Sequence, residues 1–335
     1  MLFAVRKLSR VLFLLLTITM LSAPALTEAE ETATATSAPS VETGEASKLT
    51  PLKALVLGMV EGLTEYLPVS STGHLLLAER LLGISGDTSS VPSPEKQRER
   101  DAADAYTICI QAGAIIAVLG LYMKRIKRIF AGIMGRDAEG LKMAVNIVTG
   151  FLPAAVIGLL IVKIIKAYLF GVWPVVAAWF CGGVAILLVA WYRDRKGSRS
   201  RMGKTLDELN CRMALVIGLA QCIAMWPGVS RSLVTIVGGL MVGLSMPAAV
   251  EFSFLLGVVT LGAATSYDAL KHGHDIVRAF DLVPVAIGLV AAFVFAVLSV
   301  KWMVAYLNRH GLAVFGYYRV ALAVVVGLLL LTGKM

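Results

Sequence analysis

Six apolar runs, each close to the ~20 residues that a helix needs to cross the hydrocarbon core of a bilayer, leave this chain little choice of architecture. They lie near residues 105–123, 147–165, 172–192, 249–267, 282–303 and 314–331. In hydrocarbon the backbone must satisfy its own hydrogen bonds, so each run is expected to be an α-helix. Of 335 residues, 58% are hydrophobic and 16% charged, and the mean hydropathy is +0.79, values that exclude an ordinary soluble domain. The net charge of +9 would point to nucleic acid in a soluble protein. Here the basic residues collect in short segments between apolar runs, so the charge reads as topology and no nucleic-acid partner is expected. Cys109, Cys181, Cys211 and Cys222 have no spacing that suggests zinc or a disulfide framework.

Basic segments also orient the chain. Lys124–Arg128, the stretch RDRKGSRSRMGK from Arg193, and a loop expected at Lys301–His310 mark the cytoplasmic side, so both termini fall outside. Near the start, Arg6, Lys7 and Arg10 precede VLFLLLTITML and the small residues Ala23 and Ala25. This is the pattern of a secretory signal over residues 1–27, either cleaved or kept as an anchor helix. Residues 28–50, rich in Thr, Ser, Ala and Glu, cannot bury a core and read as a disordered linker. The membrane domain then occupies 51–335.

Two stretches interrupt the apolar pattern. In EGLTEYLPVSSTGHLLL, residues 61–77, ionisable groups stand inside apolar sequence, where they are costly and usually functional. Glu61 and Glu65 share a face if the segment before Pro68 is helical, and together they could bind a divalent cation. Ser70, Ser71 and Thr72 open the next helix, where an anion is welcome. His74 follows Ser71 by about one turn, the spacing of a nucleophile and its proton acceptor. The second stretch, 212–244, is apolar but broken by Pro227, Gly228, Ser230, Arg231 and Ser232. Arg231, flanked by Ser230, Ser232 and Thr235 at a helix start, looks like a phosphate clamp; pairing with Glu251 is the structural alternative.

Each broken stretch is too short in its halves to cross alone and reads as a re-entrant helix hairpin. A hairpin and three spans over 51–192 are followed by a hairpin and three spans over 212–331. An odd number of spans in each half makes the halves inverted repeats. The expected fold is therefore an all-α polytopic membrane protein in which two hairpin tips meet near the midplane.

EGLTEYLPVSSTGHLLL and PGVSRSLVTIVGG resemble the two signature regions of the undecaprenyl-diphosphate phosphatase family, the bacitracin-resistance type. The resemblance extends over residues 51–331 through IQAGAIIAV, FLPAAVIG and EFSFLLG. It implies an integral enzyme of the bacterial plasma (inner) membrane that hydrolyses undecaprenyl diphosphate to undecaprenyl phosphate, recycling the lipid carrier for peptidoglycan. By matching position it assigns Glu61 and Glu65 to the acidic motif, Ser71 and His74 to catalysis, and Arg231 with its flanking serines to phosphate binding. A divalent cation, magnesium or calcium, is implied as cofactor and a polyprenyl diphosphate lipid as partner; the oligomeric state stays open, with a homodimer considered. Leu233 departs from the family pattern, standing where a glycine commonly follows.

In the enzyme reading, Glu65 helps to hold the metal, Arg231 neutralises the diphosphate, Ser71 attacks phosphorus, and His74 takes its proton or activates a water. The same architecture also serves secondary carriers, so phosphate release is the discriminating observation. Type-2 phosphatidic-acid phosphatases are disfavoured because no second histidine follows an arginine in the required way.

Overall fold

A computed structural model describes residues 49–84, 94–195, 203–279 and 282–333. The signal-like segment and the linker up to residue 48 lie outside these residues. The described chain is helical, with one isolated bridge between Lys204 and Leu244. It is a multi-pass membrane protein: among the described residues five helices are long and apolar enough to cross, and a pair bent by 81° passes the same test only when its two parts are taken together.

The first hairpin is α1 (Pro51–Thr64) and α2 (Ser71–Leu81). Thr50 starts α1 by accepting the Lys53 N–H at 3.3 Å, with proline next in the first turn. There follow α3 (Pro94–Leu121) and α4 (Met123–Ile133), which meet at 81°. Then come α5 (Ala138–Tyr168) and α6 (Val172–Arg195). The second hairpin is α7 (Cys211–Gln221), continued by a 3-10 turn at Cys222–Met225, and α8 (Arg231–Met241). Last are α9 (Met246–Ala279), α10 (Leu282–His310) and α11 (Ala313–Leu331).

Two expected loops are helical. Lys301–His310 forms the end of α10, because no residue there stops a helix before Gly311, which has φ 72°. The basic segment after residue 123 contains α4, whose apolar and basic residues alternate with helical period.

The hairpins match in register. Thr50 and Asn210 each cap a first helix, and twenty positions later in each case stand Ser70 and Ser230. These serines have φ 75° and 79°, and among the described residues no other non-glycine has a positive φ. Each such conformation costs about 1–3 kcal/mol. The helices that follow, α2 and α8, both have 11 residues.

Packing between the halves is crossed. α1 lies on α10 and α7 lies on α5, while α3 meets α9 and α6 meets α11. Both crossed pairs depend on glycine. A Cβ at Gly58 would stand 2.3 Å from the Gly288 carbonyl oxygen, and one at Gly218 would stand 2.3 Å from that of Gly150. Small residues let membrane helices approach to backbone contact, where dispersion replaces the hydrophobic drive that lipid lacks. Large apolar side chains such as Leu159 and Leu160 remain 75% exposed, as lipid-facing positions do.

Candidate active site

The two breaks bring their polar residues together. Glu65 lies just past the end of α1 and is buried, and among the described residues its one ion pair is with Arg231. One of its oxygens, Oε1, accepts from Arg231 Nη2 at 3.1 Å, and the other, Oε2, accepts from the hydroxyl of Ser71. Arg231 comes from the first position of α8, 166 residues further along the chain. Its Nη1 donates to the Ser253 carbonyl on α9 at 3.2 Å. The guanidinium lies in a close seat: a Cβ at Gly257 would be 1.7 Å from Nη1.

Hydroxyls fasten the tips to each other. Ser232 donates to the Leu67 carbonyl at 2.8 Å, and Ser230, 3.0 Å from Ser232, also reaches that carbonyl at 3.4 Å. Thus Ser230 and Ser232, expected to bind substrate, are occupied in holding the second tip to the first. Thr235 is fully buried and turned away, with its hydroxyl 2.6 Å from that of Ser253. Among the described residues the hydroxyls of Ser70 and Thr72 take no partner, and Thr72 is exposed. Glu251 does not pair with Arg231; it accepts from Arg125 at 2.7 Å.

The family model of the bacitracin resistance protein BacA matches residues 54–325, which include both tips. The chain belongs to this family. It is 43% identical over 274 residues to the undecaprenyl-diphosphatase of Sorangium cellulosum, covering 82% of this chain and 84% of that protein. It is 42% identical over 275 residues to the undecaprenyl-diphosphatase of Nitrosomonas europaea, covering 82% and 93%.

In this BacA-family chain the histidine is wired differently from the expected dyad. His74 Nδ1 is 2.6 Å from the Ser70 carbonyl and Nε2 is 2.8 Å from the Tyr318 hydroxyl. An imidazole protonated on Nδ1 satisfies both, donating to the carbonyl and accepting from the phenol. Ser71 sits on the same helix, yet its hydroxyl is committed to Glu65. Ser70, with φ 75°, stands at the start of α2, and the Ser71 hydroxyl meets the carboxylate at the end of α1 while both ring nitrogens of His74 are taken elsewhere.

Two functional groups escaped sequence reasoning, and both come from α11. Tyr318 stacks on His74 with ring centroids 5.8 Å apart. Arg319 is fully buried and has no acidic partner among the described residues. Its Nη2 donates to the Ala178 and Gly228 carbonyls at 2.8 and 2.9 Å, its Nη1 to Pro68 and its Nε to Trp179, both at 3.4 Å. Pro68 belongs to one tip and Gly228 to the other, so one guanidinium binds both to α6. A lone arginine inside an apolar span is the signal that could have found it.

The donor set also fits a divalent cation. Glu61 is buried and its Oε1 has no hydrogen-bond partner, an unusual state for a carboxylate oxygen. Among the described residues no three His, Cys, Asp or Glu side chains converge. A hard cation held by one or two carboxylates and completed by phosphate and water needs no more than Glu61 and Glu65.

Proposed function

We propose that this chain hydrolyses undecaprenyl diphosphate to undecaprenyl phosphate and inorganic phosphate, returning the lipid carrier to peptidoglycan and envelope synthesis and conferring resistance to bacitracin. The observation that carries this reading is the meeting of Glu65, Ser71 and Arg231 from two hairpin tips, in a chain closely similar to undecaprenyl-diphosphatases.

The hydroxyl of Ser71 attacks the terminal phosphorus while Glu65, its hydrogen-bond acceptor, takes the proton. The bond from phosphorus to the bridging oxygen breaks and undecaprenyl phosphate leaves; water then cleaves the phosphoserine to release phosphate. Arg231 presents a planar fork to the phosphate oxygens. Its buried Nε has no partner among the described residues and is free to donate. Ser70 and Thr72, with the free backbone N–H groups at the start of α2, add donors for the anion. His74 holds the Ser70 carbonyl and so keeps Ser71 aimed. Glu61 and Glu65 would hold magnesium or calcium, which when bound neutralises diphosphate charge.

The architecture that supports this site is a pair of inverted repeats, 51–192 and 212–331, each a re-entrant hairpin with three spans. Matched caps, matched positive-φ serines and the reciprocal pairing of α1 with α10 and α7 with α5 favour it. The protein resides in the plasma membrane with both termini outside, after a signal at 1–27 and a linker at 28–50.

The test is phosphate release from a prenyl diphosphate by the purified chain in detergent, with and without chelator. Release that requires divalent metal is expected. A pure preparation that binds the lipid and releases no phosphate at any metal concentration would overturn the reading.

A further inference from the structure

The short helix α4 is built to lie along a membrane surface. It meets α3 at 81°, so that with α3 along the membrane normal α4 would lie close to the bilayer plane. Met123, Phe130 and Met134 recur on one side of it and are 43%, 58% and 67% exposed. The adjoining Ile126 and Ile129 pack against the protein core instead. The apolar arc is therefore shared between protein and lipid.

Its four basic residues are sorted in the same way. Arg125 is spent on Glu251 at 2.7 Å, and Arg128 on Asp137 at 3.0 Å. Lys124 and Lys127 are exposed and form no ion pair among the described residues. The helix cannot roll to bury them, because its backbone touches α5: a Cβ at Gly140 would be 2.0 Å from the Arg128 carbonyl oxygen. Two fixed ammonium groups beside an exposed apolar arc match a surface of acyl chains bordered by negative headgroups. A soluble anion would have no use for the arc.

We propose that α4 is an interfacial helix that binds the phosphodiester headgroups of anionic phospholipids through Lys124 and Lys127. This goes beyond the hydrolytic reading and does not depend on it.

The experiment is native mass spectrometry of the full chain released from detergent in the presence of phosphatidylglycerol or phosphatidylcholine. The wild-type chain retains phosphatidylglycerol in preference to phosphatidylcholine by roughly tenfold, as two lysines near a membrane surface allow, and added salt weakens the preference. In K124Q/K127Q the preference falls to about twofold or less. Equal retention of the two lipids by the wild-type chain, or an undiminished preference in the double variant, overturns the proposal. Both lysines are exposed and outside the active site, so phosphate release by the variant in detergent reports folding separately.

Discussion

The hydroxyl of Ser71 donates a hydrogen bond to the carboxylate of Glu65, six residues earlier in the chain and on the other side of the helix break. Between the two stands Ser70, with φ 75° and its carbonyl 2.6 Å from His74 Nδ1. Strain and chemistry therefore share one residue boundary.

If these two groups act as a unit, Glu65→Gln and Ser71→Ala each lower kcat/KM by about a hundredfold or more, within the range for a positioned base. The double variant is then little worse than the worse single one. Steady-state rates on a soluble prenyl diphosphate check this, and multiplied losses would show independent roles.

Tyr318→Phe removes one neutral hydrogen bond from His74, worth about 1 kcal/mol, so the rate falls roughly fivefold. His74→Ala costs more because the Ser70 carbonyl also loses its shorter contact and keeps only the backbone N–H of residue 74 at 3.4 Å. The two changes together do not multiply, as kcat/KM for the single and double variants would reveal.

Removing a charge at Glu61 tests the cation. Glu61→Gln keeps the side-chain shape and weakens attraction to a hard cation. A metal titration of activity should shift to higher concentration, with part of the rate recovered at saturation.

Gly257→Ala adds a single methyl group at the seat of Arg231, where only 1.7 Å separates the new atom from Nη1. The guanidinium must move, and displacement of about 1 Å costs on the order of a hundredfold in rate. Activity should fall sharply while the thermal unfolding midpoint changes little.

Arg319→Ala behaves in the opposite sense. It deprives the tip carbonyls of Gly228 and, more weakly, Pro68 of their donor, while those of Ala178 and Trp179 keep their partners within α6. At about 1–3 kcal/mol for each of the two groups left buried and unpaired, stability drops along with activity. Unfolding followed by fluorescence in detergent measures it.

The spans and both hairpins were legible because membrane hydrophobicity is written residue by residue, and Pro68, Pro227 and Gly228 interrupt it at the tips. Glu61, Glu65, Ser71 and Arg231 were legible because charge in apolar sequence is rare. Partners were another matter. That Ser71 faces Glu65, that Ser232 holds Leu67, and that Thr235 turns to Ser253 depend on the backbone at two serines whose positive φ no residue type announces. Arg319 was visible as an isolated cation but was passed over, since no motif surrounds it. The C-terminal end of α10 and the helix α4 were read as loops because basic residues marked topology and hid helical periodicity.

The glycine contact between Gly58 and Gly288 also sets an order of events during synthesis. The first hairpin leaves the ribosome long before its seat on α10 exists, about 230 residues later, a delay of roughly 10–50 s at ordinary elongation rates. For the first three quarters of that interval Glu61 and Glu65 have no Arg231 to meet, and until its end they have no glycine groove to lie in. A nascent chain must shelter two carboxylates in a half-built membrane protein, so demand for an insertion chaperone should be concentrated on the opening hairpin and should end as α10 enters.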